Sequence, residues 1–203
     1  MLNDVTVFNI REYLSGKDDE VLGEDELQQI LSEFSCLKNT DVERFLKEQS
    51  IEFTKKNQSV TYLVFTNEDT ALAGYFTLTI KPISVNAEYF SNTRKRKISR
   101  VSELNVDNGT YTLSAYLIAQ VGKNFSEGAN ERITGEQLMR AAMDTIKELQ
   151  YMAGGTVIFL ETENNEKLIK FYEEKNGFKR FDTKEVKAGT DDAHTLIQLL
   201  KII

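Results

Sequence analysis

The sequence predicts a mixed α/β fold. It should have a mostly antiparallel central sheet, one parallel β–α–β crossover, and helices on both faces. Three observations predict it. A β-branched and aromatic stretch, "TYTLSAYLIAQVG" (110–122), precedes a helical-period stretch, "GEQLMRAAMDTIKELQ" (135–150). That in turn precedes a short apolar run, "GGTVIFLETE" (154–163), bounded by a glycine pair and charges. Strand, helix and strand in that order need a parallel, right-handed crossover. On either side, paired strand-like stretches separated by turns read as antiparallel hairpins.

The elements follow in order. "VTVFNI" (5–10) reads as a first strand. "GEDELQQILSEF" places Leu27, Ile30, Leu31 and Phe34 at helical spacing. "NTDVERFLKEQSIEFTKK" has Thr40 and Glu43 in capping-box spacing, with Val42, Phe45 and Leu46 as its apolar face. "SVTYLVFT" and "ALAGYFTLTIKPISV" flank the turn "NED" and form a hairpin. Residues 86–100 read as helix and loop. The long strand follows, then a helix that Thr134 and Gln137 cap in box spacing, amphipathic through Leu138, Ala141, Ala142, Thr145, Ile146 and Leu149. After the buried strand comes "NNEKLIKFYEEKNGFKRF" (164–181), a helix entered from Asn165 and stopped at Gly177. "FKRFDTKEV" and "TLIQLLKII" close the chain as a hairpin. Segments 11–25 and 184–193 are polar and carry no element assignment. With one proline and no Gly/Ser-rich linker, residues 1–203 read as a single domain.

Composition narrows the class. The chain has 203 residues, 40% apolar and 28% charged, enough for a core of its own. No apolar run reaches the length of roughly 20 residues that spans a membrane. The N-terminus lacks a basic region followed by an apolar one, so no signal peptide is expected. A single cysteine, Cys36, makes no internal disulfide, and a reducing cytoplasm is the expected compartment. One Cys and one His, His194, do not make a zinc cage, and no metal is expected. Cys36 reads as a small apolar side chain and His194 as a surface residue. The net charge of −7 argues against whole-molecule attraction to nucleic acid. "RKRKISR" is the local exception, with Arg94, Lys95, Arg96, Lys97 and Arg100 together. It reads as a solvated basic connection, or as a contact for an anionic partner such as RNA.

The order of elements and three local matches resemble the GNAT superfamily of acetyl-CoA-dependent N-acetyltransferases. The first match is Asn165, Leu168, Phe171-Tyr172 and Gly177-Phe178, with a Tyr-to-Gly interval one residue longer than is commonest. The second is the strand–loop–helix "YLIAQVGKNFSEGANERITGEQLMRAA", where the acetyl-CoA loop belongs. The third, "FSCLKNTDVERFLKEQ…VTYLVF…ALAGYFTL", is similar to the N-terminal part of GNAT toxins from toxin–antitoxin pairs.

The resemblance implies an acyltransferase that moves an acetyl group from acetyl-CoA to a primary amine by direct attack. By resemblance, Gln120, Val121 and Gly122 offer backbone groups to the pantetheine arm, Arg132, Ile133, Thr134, Gly135 and Glu136 form the pyrophosphate loop, and Asn165 helps seat the arm. Tyr172 is then the general acid. Aligned on the family's glycine-rich loop, only Gly135 matches, and Ile133 stands where a β-branched side chain resists positive φ. A helix start with its dipole end and unpaired amides would still attract an anion; a purely structural capped helix is the other reading. From spacing alone, Tyr172 shares an apolar face with Leu168, Ile169 and Phe171 and reads as core. Glu161 and Glu163 read as general-base candidates or as solvated strand-end carboxylates.

The acceptor is open between a small-molecule amine, a peptide amine and an aminoacyl-tRNA, with "RKRKISR" as an RNA contact in the last case. A catalytically weak module that binds CoA or a protein is the alternative class. The resemblance also allows a homodimer and an antitoxin partner, and it implies no membrane.

Overall fold

The computed structural model describes residues 5–14, 23–187 and 193–203. Of His194 only the backbone is described; of the two polar segments left unassigned, residues 15–22 and 188–192 lie outside the described residues, while 11–14 and 23–25 are helical and 184–187 and 193 belong to strands. The strands run in the order β1-β2-β3-β5-β6-β8-β7, with β4 beside β5. By contacts the chain falls into two compact units, Met1–Thr79 with Ile118–Lys147, and Ile80–Leu117 with Glu148–Ile203. Each is described by itself.

In the first unit, β1 (Val5–Asn9) pairs antiparallel with β2 (Val60–Thr66), and β2 pairs antiparallel with β3 (Leu72–Asn86). The expected "NED" turn is closed by its own side chains. The Ala71 amide donates to Thr66 Oγ1 at 3.1 Å, and the Thr66 hydroxyl donates to Asp69. Helices α1 (Ile10–Leu14) and α2 (Gly23–Ser32) precede a continuous helical segment. That segment runs as α3 (Thr40–Arg44), a π turn (Phe45–Gln49) and α4 (Ser50–Lys55). Ile10, Leu27, Leu31, Phe34, Val42, Leu46, Leu63 and Tyr75 form one buried cluster there. Cys36 joins it as a buried thiol, in line with its expected apolar role.

The expected capping box at Thr40 is replaced by a neighbour. Asn39 is extended, and its side-chain oxygen accepts from the amides of Asp41 and Val42 at 3.1 and 3.2 Å. Glu43 turns away to accept from the Cys36 amide at 2.7 Å. Asn caps at least as well as Thr, so a one-residue shift costs the helix nothing.

The second unit carries the closing sheet. β6 (Val157–Glu163) pairs antiparallel with β8 (Ala193–Ile202), and β8 with β7 (Lys179–Lys187). The expected terminal hairpin therefore forms, with its second strand lying between β6 and β7. Val85, Phe90, Ile98, Leu113, Val157, Phe159, Phe181 and Leu200 make this unit's buried cluster. Helix α5 (Asn92–Ile98) buries Ile98 and carries most of the basic run.

β3 and β5 (Thr110–Lys123) form the long central pair, and β4 (Leu104–Asn105) folds back on the start of β5. Helix α6 (Ala129–Arg132) and then α7 (Gly135–Ala153) lead from β5 to β6. β5 and β6 are sheet neighbours, and the mostly antiparallel sheet includes a parallel pair, as the sequence requires. The other pairings described are antiparallel. Among the described residues no helix is long and apolar enough to cross a membrane.

Candidate active site

The candidates fall into two sets, one in each unit. In the first unit, the capping box at α7 forms as its spacing predicts. The Gln137 amide donates to Thr134 Oγ1 at 3.1 Å, and the Thr134 amide donates to Gln137 Oε1 at 2.7 Å. This fixes the start of a helix of 19 residues, whose dipole places partial positive charge at Gly135 and Glu136. The end of β5 meets the same helix at Gly74 of β3. A Cβ built on Gly74 would lie 2.7 Å from the Gly122 carbonyl oxygen and 3.2 Å from the Leu138 side chain. Only glycine lets the three elements converge so closely. Gly122 itself is needed for packing, since a Cβ there would meet Val42 at 2.5 Å. Gln120 and Val121 are partly exposed beside it.

The loop takes its left-handed turn earlier than the family alignment implies. Glu127 and Gly128 hold the positive φ values, 48° and 75°. Ile133 is extended, with φ −135° and ψ 151°, and its side chain is only 2% exposed. The missing glycine is thus no obstacle at this position. Ile133 anchors the loop in the core and leaves only its backbone for a ligand. Arg132 is already engaged, its Nε lying 2.6 Å from Asp69 Oδ2.

Asn124 is a functional-looking residue that sequence reasoning passed over. It is 3% exposed and fully satisfied. Its side-chain oxygen accepts from the amides of Ser35 (2.8 Å) and Ser126 (3.0 Å), and its side-chain nitrogen donates to the Leu72 carbonyl at 2.9 Å. These partners fasten the loop to β3 and to the segment before α3. A lone Asn after a strand carries no sequence signal for such distant partners.

The second unit holds Glu161, Asn165 and Tyr172. Asn165 caps α8 (Glu166–Lys170), its side-chain oxygen accepting from the amides of Lys167 and Leu168 at 3.0 and 3.4 Å. Glu161 is engaged by Lys184 at 3.0 and 3.2 Å and by Gln198 at 2.7 Å. Its partners lie on the two neighbouring strands β7 and β8, so the geometry favours its structural reading. Glu163 is exposed at the strand end.

Tyr172 lies in a π turn, Phe171–Lys175, that continues α8. The wider turn absorbs one extra residue and accounts for the long interval between Tyr172 and Gly177. Gly177 then reverses the chain at φ 70°. Tyr172 is 8% exposed, edge-on to the rings of Phe171 (5.2 Å) and Phe178 (6.1 Å). Burial raises its phenol to about 12. Among the described residues, no group hydrogen-bonds its hydroxyl. The ring therefore packs as core, as its spacing implies. Leu168 of the expected apolar face is 38% exposed instead. Among the described residues no group of three or more His, Cys, Asp or Glu comes together to hold a metal.

No protein-family model matches the sequence, and no curated protein matches it. Solved structures do match in fold. AtaT complexed with acetyl-methionyl-tRNAfMet is 15% identical at a TM-score of 0.61, over 96% of this chain and 94% of that one. A tyrosine-to-phenylalanine mutant of KacT is 16% identical at 0.59, with the same coverage. A tyrosine-to-phenylalanine mutant of the toxin AtaT, bound to acetyl-CoA and the C-terminus of its antitoxin AtaR, is 16% identical at 0.54, over 98% and 93%. The chain has the GNAT fold.

Proposed function

We propose that this protein transfers the acetyl group of acetyl-CoA to the amino group of an aminoacyl-tRNA. The observation that carries the reading is its full-length likeness in fold to AtaT complexed with acetyl-methionyl-tRNAfMet. The likeness to the AtaT mutant bound to acetyl-CoA supports the cofactor. The capped start of α7 supplies the dipole end and amides that a pyrophosphate needs. Arg94, Lys95, Arg96, Lys97 and Arg100 are ion-paired with no acid among the described residues, which supports an anionic acceptor. An antitoxin-type protein partner belongs to the same reading, as AtaT is solved with AtaR.

In this reading the free amine attacks the thioester carbonyl. A C–N bond forms, the C–S bond breaks, and the surplus amine proton ends on the sulfur. Tyr172 is the general acid beside the departing thiolate. A phenol near 12 is a weaker acid than a thiol near 8.5, so its help is greatest as a hydrogen bond to the sulfur while charge develops. Such help contributes on the order of 10²–10⁴-fold. A base tied up like Glu161 is not required for an amine that arrives unprotonated.

A second reading, a binding module without transfer, is favoured by the ion pair that already occupies Arg132. One experiment separates the two. Acetyl-CoA is titrated by calorimetry, and thiol release is then followed with charged tRNA, uncharged tRNA and a panel of small amines. The proposal expects binding, with thiol release only when charged tRNA is present. Binding without release across all acceptors gives the module. Release with small amines alone overturns the acceptor.

A further inference from the structure

We propose that Asn176 and Lys201 are positioning residues that hold the π turn open and so set the Tyr172 hydroxyl; this rests on the transferase reading above.

A π turn is a costly way to end a helix, because it departs from the regular α ladder. It persists only where other contacts fix it. Here the contacts come from two side chains. Asn176 Nδ2 donates to the Phe171 carbonyl at 2.9 Å, at the first residue of the turn. Lys201 Nζ, from β8, donates to the Asn176 carbonyl at 2.8 Å. The Phe178 amide donates to the Tyr172 carbonyl at 3.0 Å and completes the clasp. Asn176 and Lys201 are both part-buried, so these bonds are sheltered from water. Arg180 grips Glu173 from β7 at 3.3 Å, but that pair is half exposed and holds the turn less firmly.

The chain gains a specific result from the clasp. In a regular α-helix the extra residue between Tyr172 and Gly177 would turn Gly177 and Phe178 by about 100° relative to the Tyr172 ring. The π turn takes up that residue, Asn176 satisfies the carbonyl at its start, and β8 locks Asn176 through Lys201. Neither side chain touches the phenol oxygen. Both act on catalysis only through the backbone that carries Tyr172.

The test uses Asn176→Asp, which keeps size but removes the donor, and Lys201→Met, which keeps the stem but removes the ammonium. Lys201→Arg serves as the conservative control. Each of the first two should lower kcat about tenfold while acetyl-CoA affinity is unchanged, and Lys201→Arg should restore most of it. Combined with Tyr172→Phe, neither should cost anything further, because both act through the lost hydroxyl. A second readout does not need activity. Among the eight tyrosines, the ring signal of Tyr172 in a carbon–proton correlation spectrum is the one missing in Tyr172→Phe. It should move or broaden in Asn176→Asp and Lys201→Met while the other seven hold. If that signal moves but wild-type protein transfers no acetyl group, the clasp stands and the transferase reading falls. If the signal is unmoved, or the kinetic losses add to that of Tyr172→Phe, the clasp is overturned.

Discussion

Arg132 Nε sits 2.6 Å from Asp69 Oδ2, so an ion pair ties the loop before α7 to the β2–β3 turn. The Thr66 hydroxyl, the Ala71 amide and Arg132 together hold the Asp69 carboxyl below its usual range. Under the proposed function, a phosphate bound at this loop would share Arg132 with Asp69. Arg132→Met should weaken acetyl-CoA binding about tenfold, the worth of one charge-assisted hydrogen bond. Asp69→Asn releases the guanidinium and should tighten binding. Calorimetry on the three proteins checks both, and identical affinities would remove Arg132 from the site.

Gly122 offers a test of the packing beneath the loop. In Gly122→Ala the new methyl carbon would meet Val42 at 2.5 Å and Phe34 at 3.3 Å. Overpacking of this kind should cost about 1–3 kcal/mol in denaturant unfolding. Pairing it with Val42→Ala should recover part of that loss. Additive losses in the double variant would contradict the contact.

Asn124→Ala strips three groups of their partners at once, the part-buried Ser35 and Ser126 amides and the buried Leu72 carbonyl. Unfolding should become easier by about 3 kcal/mol. Faster amide exchange at Ser35 and Ser126 should accompany it. Slow exchange at both in the variant would mean that the hub is not what protects them.

These predictions show where sequence was informative. The β5–α7–β6 crossover and the Thr134–Gln137 box were legible because both rest on local spacing, periodicity and capping chemistry. Asn165 as a cap was legible for the same reason. The shift from Thr40 to Asn39 was not, because it turns on Glu43 finding the distant Cys36 amide. The place of β8 between β6 and β7 is a long-range pairing that no local pattern encodes. Ile133 looked wrong for its loop because the family's turn was assumed there, whereas this chain turns at Glu127 and Gly128. The π turn appeared in the sequence only as an interval one residue too long.

The basic run gives a salt-dependent prediction. Replacing Arg94, Lys95, Arg96 and Lys97 with Ser should weaken charged-tRNA binding and flatten its dependence on salt. Each lost phosphate contact should reduce the logarithmic slope by about 0.7–0.9. Filter binding across a salt series reads both quantities, and an unchanged slope would assign the run to solvent.

The buried phenol predicts a pH signature. Its value is raised above that of an exposed tyrosine, so its contribution to stability is complete below about 10 and lost as pH rises toward about 12. Wild-type protein should therefore lose stability relative to Tyr172→Phe across that window. A constant difference would mean that the hydroxyl is not held in a buried site. For the same reason kcat should show no alkaline fall from Tyr172 near neutral pH.

The most direct measurement is single-turnover thiol release from acetyl-CoA in the presence of charged tRNA, wild type against Tyr172→Phe. The Phe variant should bind acetyl-CoA as tightly as wild type and release thiol at least about tenfold more slowly. Equal rates for the two proteins, with the chemical step limiting, would contradict the role of Tyr172 as the acid in acetyl transfer.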